Sequence, residues 1–230
     1  MLTLESLSLT QGDFTLTADL SVEAGARVAI VGPSGGGKTT FLSLIGGFLQ
    51  PDRGCILWQG RDISRLSPGD RPISMLFQDN NLFPHLTAAQ NVGLGLKPSL
   101  KLSPEEQDRV DDALTRVGLA GLGGRKPAQL SGGQQGRVAL ARVLLRAKPL
   151  VLLDEPFAAL GPALKVEMLD LVKELVESSG ATLLMITHDP RDAERIAQQT
   201  ILVNDGAVSA PVDTATLLRD PPDALRDYLG

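Results

Sequence analysis

The stretch Gly32-Pro33-Ser34-Gly35-Gly36-Gly37-Lys38-Thr39 constrains the fold of this chain more than any other part of its sequence. A short apolar run at 27–31 precedes it, and residues 40–45 follow with apolar side chains at helical spacing. The order is therefore strand, glycine-rich loop and helix, and the loop fits the pattern G-x-x-x-x-G-K-[ST]. We refer to residues 32–39 as the P-loop.

The residue types of the P-loop are those that an anion site requires. Glycines adopt positive φ without steric cost, which lets successive backbone N–H groups turn towards a phosphate. The N-terminus of the following helix directs further N–H groups and its positive dipole end to the same place. Lys38 adds a charge for the β- and γ-phosphates, and the Thr39 hydroxyl is suited to ligate Mg²⁺. The predicted nucleotide site consists of Gly32, Pro33, Ser34, Gly35, Gly36, Gly37, Lys38, Thr39 and Thr40.

Composition limits the remaining possibilities. The 230 residues are 43% hydrophobic, which is enough to bury the core of one large domain. A net charge of −5 argues against a general nucleic-acid binder, and a single cysteine excludes an intrachain disulfide. Alternating apolar and polar residues at 1–9 predict a strand rather than a signal peptide, and no apolar run is long enough to span a bilayer. Any contact with a membrane is therefore expected to go through a partner.

Apolar strands alternate with helices along the chain. Period-two patterns predict strands at 2–9 and 13–22, and continuous apolar runs predict buried strands at 150–153 and 181–187. Short helices are predicted within 213–228, where Tyr228 is expected to serve packing. The alternation predicts an α/β fold with a mainly parallel sheet.

The middle of the chain differs from the rest because it looks mainly helical. Thr87 and Ser103 are predicted N-caps, and Pro104 follows Ser103 at the first helical position. We therefore predict that residues 79–130 form a helical subdomain. It is inserted into a single domain, 1–230, whose nucleotide-binding core is made of 1–78 and 131–230.

Two adjacent acidic residues supply a second half for the nucleotide site. Asp154 and Glu155 follow an apolar strand, and ligands collect at the carboxyl ends of strands in open α/β sheets. Asp154 is predicted to hold Mg²⁺, directly or through water. Glu155 is placed to polarise an attacking water. The sequence thus predicts nucleotide hydrolysis as well as nucleotide binding.

Three further motifs give the chain a family resemblance. Leu130-Ser131-Gly132-Gly133-Gln134 resembles the signature motif of ABC-transporter ATPases, Gln78 resembles the glutamine of their Q-loop, and His188 resembles their switch histidine. The order of P-loop, glutamine, signature, acidic pair and histidine matches that family along nearly the whole chain. The resemblance implies the ABC ATPase cassette: a P-loop NTPase core, an N-terminal antiparallel β subdomain and an inserted helical subdomain.

The resemblance also implies a mechanism. Two copies pair head to tail, and each ATP is held by the P-loop of one copy and by Ser131, Gly132, Gly133 and Gln134 of the other. Glu155 is then the general base and His188 contacts the γ-phosphate. Gln78, a catalytic and Mg²⁺-contacting residue by the same resemblance, reports the γ-phosphate to a partner. ATP and Mg²⁺ are the implied cofactors.

The implied function is that of the ATP-hydrolysing motor of an importer. The partners are transmembrane permease subunits and, indirectly, a periplasmic solute-binding protein, at the cytoplasmic face of a bacterial inner membrane; nucleic acid is not expected. Residues 71–83 and 85–96 resemble most closely the ATP-binding subunits of thiamine importers. Importers of polyamines, iron or other small cations stay open as alternatives. A soluble ABC ATPase acting on nucleic acid fits less well because no sustained heptads are present, and a P-loop kinase or GTPase lacks the signature motif.

The surface for the permease is predicted near residues 79–91. Leu82, Phe83, Pro84 and Leu86 are apolar residues in a turn-rich segment, which suits a groove for a partner helix. The same side chains are equally compatible with the core of the helical subdomain.

Two positions depart from the family pattern. Gly161 stands where the family usually has an aspartate that helps to order the site across the dimer interface, so we expect reduced ATPase with binding intact. The family also places an aromatic residue well before the P-loop to stack on adenine. Phe14 is the nearest candidate here, although its place in the alternating strand favours a core position.

Overall fold

The computed structural model describes residues 1–79, 81–222 and 225–226, which form a mixed α/β structure. Its strands are β1 Leu2–Gln11, β2 Phe14–Val22, β3 Arg27–Val31, β4 Arg53–Trp58, β5 Arg61–Asp62, β6 Ile73–Leu76, β7 Leu150–Asp154, β8 Thr182–Ile186, β9 Gln199–Asn204, β10 Ala207–Val208 and β11 Val212–Asp213. Its α-helices are α1 Lys38–Gly46, α2 Ala88–Gly93, α3 Pro104–Arg116, α4 Gly132–Leu145, α5 Pro162–Ser179, α6 Pro190–Ile196 and α7 Thr214–Arg219.

The strands of the described residues form one sheet with a parallel and an antiparallel half. The order is β5-β4-β1-β2-β10-β9-β3-β8-β7-β6, and β11 pairs with β9. Strands β9, β3, β8, β7 and β6 run parallel, whereas β2, β1, β4 and β5 pair antiparallel. Strand β10 joins the halves because it is parallel to β2 and antiparallel to β9. The predicted α/β architecture with an N-terminal antiparallel part is confirmed, although parallel pairings are confined to about half of the sheet and do not dominate it.

Both faces of the parallel half are buried, and successive residues of one strand enter different cores. Leu150 and Leu152 of β7 pack in the core that contains α1 and the antiparallel strands. Val151 and Leu153 pack in the core that contains residues of α2 to α6. This period of two follows from the pleat of a strand, and it explains why β7 reads as a continuous apolar run. The carboxyl end of β7, where Asp154 lies, is thereby fixed from both sides.

Local capping rules define the helical segment. The Thr87 hydroxyl accepts from the backbone N–H of Gln90, and the Ser103 hydroxyl accepts from that of Glu106, so both predicted N-caps are confirmed. Helix α4 packs against α2 and α3 and also against β6, so it contacts both the helical segment and the core. The proposed boundary at residue 130 therefore lies just before a helix that both parts share.

Some elements lie outside what the sequence predicted. Strands β5, β10 and β11 have two residues each, which is too short for any periodic signal. Of the helices predicted over 213–228, the structure has α7, and the packing role expected of Tyr228 lies outside the described residues. In the described part of the chain, none of the helices combines the length and the apolar character needed to cross a bilayer.

Candidate nucleotide site

The P-loop leaves the fully buried strand β3 and leads into α1, as predicted. Two of its glycines lie where a side chain would collide with a neighbouring strand. Gly32 has φ +143°, and a Cβ there would lie 1.9 Å from the carbonyl oxygen of Val203 in β9. Gly37 has φ +107°, and a Cβ there would lie 2.8 Å from Cζ of Phe14. The loop therefore takes its shape because glycine lets neighbouring strands approach its backbone closely.

The N-terminus of α1 is open to a ligand. Its N-cap, Gly37, makes no side-chain capping hydrogen bond, and the first turn has no acidic side chain. Lys38 Nζ donates to the carbonyl oxygens of Gly32 and Pro33, both at 2.8 Å, and so crosses the loop. Burial lowers the pKa of Lys38, while the charges of Glu155 and Asp154 act in the opposite direction. A cation and unsatisfied N–H groups thus face the same space, which is the physical requirement for phosphate binding.

Asp154 provides the position for a cation. It ends β7, is 1% exposed, and its Oδ2 has no hydrogen-bond partner among the described residues. Burial raises the pKa of Asp154, and a hydrogen bond from the Thr39 side chain opposes that rise. A buried carboxylate oxygen without a partner, beside a hydroxyl, fits the oxygen ligands that Mg²⁺ prefers. The described residues contain no cluster of three or more His, Cys, Asp or Glu side chains suited to a metal, so further ligands would have to come from phosphates or water.

Glu155 and His188 are brought together by neighbouring strands. β7 and β8 are parallel partners in which Asp154 is aligned with Ile186, so the residues that follow them lie side by side. The Glu155 backbone N–H donates to the Ile186 carbonyl at 3.2 Å, and Glu155 has φ +45°. His188 Nδ1 lies 3.5 Å from Glu155 Oε2. The carboxylate and the imidazole can therefore act on one reacting group.

The P-loop, the start of α1 and Glu155 line a cavity of about 610 Å³, which is large enough for a nucleotide. Most of the predicted site contributes to its wall, and the glutamine predicted from the family pattern does so too. The lining residues are Gln11, Phe14, Ser34, Gly35, Gly37, Lys38, Thr39, Thr40, Gln78 and Glu155.

Sequence analysis named Phe14 as the nearest candidate for stacking on adenine but favoured a core position, and it did not place Gln11 in the site. Phe14 packs partly against the core, as its alternation indicated, but its ring also lines the cavity beside Gly37. Both residues flank the turn between β1 and β2, which the sheet brings over the P-loop. The only indication in the sequence was the aromatic residue that the family places before the P-loop to stack on adenine. Alternation alone assigns a residue to one face of a strand and not to a site.

The segment Ser131–Gln134 is placed apart from this cavity. None of its residues is among the described residues that line the cavity. Ser131 is exposed and caps α4: its hydroxyl accepts from the Gln134 N–H at 3.3 Å, and Gln134 Oε1 accepts from the Ser131 N–H at 2.9 Å. One chain thus brings together the P-loop, Gln78, Asp154, Glu155 and His188, but not the signature segment.

Gly161 forms the N-cap of α5 and makes no side-chain capping bond. Its φ is −67°, and a Cβ there would meet nothing within 4 Å. The backbone would therefore accept a side chain, and the departure from the family pattern has no steric cause in this chain.

An apolar groove lies between the P-loop helix and the helical segment. Among its lining residues are Phe48, Met75, Phe77, Phe83 and Leu94. Phe48 is 50% and Phe83 47% exposed, and the Phe48 ring meets that of Phe77 edge-on at 4.8 Å. Exposed aromatic rings in a concave surface are typical of an interaction site.

The segment 82–86 beside this groove divides between the two roles that the sequence left open, a partner surface and the core of the helical subdomain. Phe83 and Pro84 are exposed, whereas Leu82 is half-buried and packs against the core below. The fully buried Asn91 holds the segment: its Oδ1 accepts from the Phe83 N–H at 2.8 Å, and its Nδ2 donates to the Phe83 carbonyl at 3.1 Å and the Thr87 carbonyl at 3.0 Å. The side-chain amide of Asn91 therefore fixes the backbone of Phe83, one of the two exposed aromatic residues of the groove.

Comparison with known proteins places these features in context. The sequence model of the ABC transporter family matches residues 16–158. The chain is 63% identical over 230 residues to the thiamine import ATP-binding protein of Cereibacter sphaeroides, with 100% of both chains covered. It is 56% identical over 230 residues to the protein of the same name from a Ruegeria species, again with 100% of both covered.

Solved structures agree with the sequence comparison. The ATP-binding cassette MJ0796, in a dimeric post-hydrolysis state bound to ADP and phosphate, superposes with a TM-score of 0.84 at 32% identity. The match covers 93% of this chain and 99% of that one. A second dimeric structure of the same cassette gives the same TM-score and identity.

Proposed function

The chain belongs to the ABC transporter family, and from this premise we propose that it is the ATP-binding and ATP-hydrolysing subunit of an importer whose cargo is thiamine. The observation that carries the ATPase is the cavity in which Lys38, Thr39 and Glu155 meet above the buried Asp154. The cargo is supported by the names of the full-length relatives at 63% and 56% identity. Importers of polyamines, iron or another small cation remain the alternative.

Hydrolysis in this cavity follows from the positions of its side chains. The P-loop N–H groups and Lys38 hold the β- and γ-phosphates, and the Phe14 ring offers a face to the base. Glu155 takes a proton from a water whose oxygen attacks the γ-phosphorus. The bond to the β–γ bridging oxygen breaks, and ADP and phosphate are the products. His188, beside Glu155, contacts the γ-phosphate, and Gln78 lies at the cavity rim.

Thr39, Asp154 and Gln78 are the residues that would hold Mg²⁺. When bound, this ion neutralises charge on the β- and γ-phosphate oxygens. The unpartnered Oδ2 of Asp154 supports the assignment because such an oxygen, buried in the protein, otherwise lacks compensation.

A second copy of the chain completes the site in this proposal. Ser131, Gly132, Gly133 and Gln134 lie at the exposed N-terminus of α4, where N–H groups suit an anion, yet they do not line their own chain's cavity. Head-to-tail pairing would bring them to the γ-phosphate of the other copy. Both MJ0796 structures are dimers, which supports this arrangement.

The groove around Phe48 and Phe83 is proposed as the docking surface for a permease helix. Docking there places the chain at the cytoplasmic face of the membrane, with a periplasmic solute-binding protein as an indirect partner. Gln78 follows β6 and Phe77, so the groove and the cavity share one segment. A change at the γ-phosphate can therefore reach the permease over a short distance.

The two-copy site is tested with Glu155→Gln, which removes the base and keeps a similar shape. Light scattering after size exclusion should give a monomer without nucleotide and a dimer with Mg-ATP. The proposal is contradicted if the variant binds ATP but ATP does not pair two copies of it, either in the isolated chain or in the presence of its permease.

The cargo is tested by uptake in cells that contain the permease and this ATPase. Labelled thiamine should accumulate with the wild-type chain and not with Lys38→Met. Uptake of a polyamine or iron instead of thiamine favours the alternative.

The docking surface is tested by Phe48→Ser and Phe83→Ser. Each should lower co-purification of the permease while ATP binding by the isolated chain stays unchanged. Val212→Ser, which removes an apolar side chain that is 41% exposed outside the groove, is the matched control. Equal loss in the control would reject the surface.

A further inference from the structure

Lys165 makes two ion pairs that the hydrolysis mechanism does not use. It lies in the first turns of α5, and its backbone N–H donates to the Gly161 carbonyl at 2.9 Å. Lys165 Nζ lies 2.8 Å from Asp192 Oδ2 and 3.0 Å from Asp189 Oδ2. The Lys165 side chain is 16% exposed and that of Asp192 8%, so their pair is largely shielded from water. Shielding makes such a pair far less sensitive to salt than a surface ion pair.

The two carboxylates belong to the segment that carries His188. The Thr187 hydroxyl donates to Asp192 Oδ2 at 2.8 Å and accepts from the Asp189 N–H at 3.1 Å. Asp189 Oδ1 also accepts from the Arg191 N–H at 3.0 Å and caps α6. The residues on both sides of His188 are therefore held by side-chain bonds that converge on the Lys165 ammonium.

The backbone of Lys165 is connected to Glu155 by a short stretch of chain. Residues 156–161 connect Glu155 to α5, and Lys165 is the fourth residue of that helix. A small cleft beside the catalytic pair is bordered by Glu155, Phe157, Lys165, Thr187 and Asp192. Lys165 thus joins the segment that follows the general base to the segment that carries the histidine.

We propose that Lys165, through Asp189 and Asp192, is a positioning residue that fixes His188 relative to Glu155. The proposal rests on the ATPase function assigned above, in which both side chains act on the γ-phosphate. Lys165 is not among the described residues that line the nucleotide cavity, so we assign it a positioning role and not a catalytic one.

The charge state of the cluster is consistent with this role. Burial on its own lowers the pKa of Lys165, but hydrogen bonds and charges from Asp192 and Asp189 outweigh it and raise that pKa above the ordinary value. The Lys165 ammonium is therefore charged at neutral pH.

A second ion pair between the same helices provides a matched control. Arg195 in α6 donates to both carboxylate oxygens of Asp170 in α5, at 2.7 and 2.5 Å. These side chains are 42% and 53% exposed. Arg195→Met therefore removes a link between α5 and α6 without touching the residues beside His188.

The experiment compares steady-state ATP hydrolysis of the full chain with its permease. Lys165→Met should lower kcat about tenfold with KM within about twofold, because a small displacement of a catalytic group slows chemistry more than binding. Lys165→Arg should restore most of the rate. The double variant Lys165→Met/Asp192→Asn, which leaves fewer buried charges unpaired, should be as slow as the single variant. Arg195→Met should keep the wild-type rate.

A spectroscopic readout separates positioning from general loosening. The chain has two histidines, so in the His85→Gln background the imidazole NMR signals report His188 alone. Lys165→Met should shift them and Arg195→Met should not. A wild-type rate in the double variant, an equal loss in Arg195→Met, or unshifted signals in Lys165→Met would overturn the proposal. If wild type hydrolyses no ATP, or Glu155→Gln hydrolyses it normally, the assigned function fails instead.

Discussion

Two helices of this ATPase begin with a glycine-rich segment, and their N-termini are built in opposite ways. The N-terminus of α1 has Gly37 as its cap and no side-chain capping bond, although it faces the nucleotide cavity. The N-terminus of α4 is closed by the reciprocal bonds of Ser131 and Gln134, although it lies at the surface. The first end has no side-chain capping bond, while at the second the N–H groups of Ser131 and Gln134 are already bonded in the isolated chain.

This difference assigns different tasks to the two ends. An uncapped helix end costs stability but binds phosphate without first losing any bond. A capped and exposed end is stable alone, and it exchanges its capping bonds only when a ligand is delivered to it. ATP bound first at α1 and carried to α4 of another copy fits this order. Substitutions at each helix end test this difference.

The largest effect is expected at the open end, from Lys38→Met. Its ammonium is the only charged side-chain group of residues 32–39, and the proposed function gives it the β- and γ-phosphates. Removing such a group typically costs about a hundredfold or more in rate. Phosphate release should fall by that order, and calorimetry should detect weakened ATP binding. Ser131→Ala, at the closed end, should leave ATP binding by a single copy unchanged. Equal loss of binding in both variants would remove the distinction between the ends.

Arg71 explains how α1 stays in place although its N-terminus is open. Its guanidinium is fully buried at the opposite end of the helix, where it donates to the carbonyl oxygens of Leu44 at 2.9 Å and Ile45 at 2.6 Å. It also donates to those of Ser64 at 2.7 Å and Leu66 at 3.1 Å. Cations are favourable at a helix C-terminus, so this residue anchors α1 from behind.

Arg71→Met should therefore lower the free energy of unfolding by about 3 kcal/mol, because several buried carbonyls lose their donors. Urea denaturation without nucleotide measures this loss. Arg53→Met, at an exposed arginine of β4, should change it by less than about 0.5 kcal/mol. A loss below 1 kcal/mol for Arg71→Met would mean that α1 is held chiefly by its apolar face.

The bonds of Arg71 were not predicted from the sequence, whereas several other features of the site and the fold were. Local sequence predicts the P-loop, the N-caps Thr87 and Ser103, and the acidic end of β7. Local rules suffice there because the interacting atoms are a few residues apart.

Contacts between distant residues were outside the reach of such rules. The Arg71 bonds to Leu44 and Ile45 span 27 and 26 residues, and the Lys165 pair with Asp192 joins two helices across β8. Sequence patterns also gave no reason to place Gln11 at the cavity. Sheet order and helix packing create these contacts, and neither leaves a periodic signal.

Gly37→Ala and Gly132→Ala form a matched pair at the two helix starts. At Gly37 the positive φ and the contact with Phe14 should cost about 2 kcal/mol of unfolding free energy. At Gly132 a Cβ would meet nothing within 4 Å, so the free energy should stay within about 0.5 kcal/mol of wild type. Urea denaturation of both variants decides this. Equal destabilisation would show that the two glycines have the same structural role.

Ser131→Ala tests the closed end itself. Loss of the cap should cost about 1 kcal/mol of unfolding free energy. In the Glu155→Gln background it should also weaken the ATP-dependent dimer. Ser103→Ala removes the equivalent cap of α3, where the hydroxyl accepts from the Glu106 N–H at the same 3.3 Å. A dimer weakened equally by Ser103→Ala would indicate a general loss of stability instead of a role at the interface.

The smallest effect is expected at a third helix start, where Gly161 is the N-cap of α5 outside the nucleotide cavity and, like Gly37, makes no side-chain capping bond. Asp is a better N-cap than Gly, and the position has room for a side chain, so Gly161→Asp should raise the unfolding free energy by about 0.5 kcal/mol. Gly161→Ala adds a Cβ without an acceptor and should not. If the absent aspartate also slows hydrolysis, turnover with the permease should rise in the Asp variant alone. Equal unfolding free energies of Gly161→Asp and Gly161→Ala would rule out capping by the aspartate. Unchanged turnover in Gly161→Asp would mean that communication between the two ATP sites does not need an aspartate at this position.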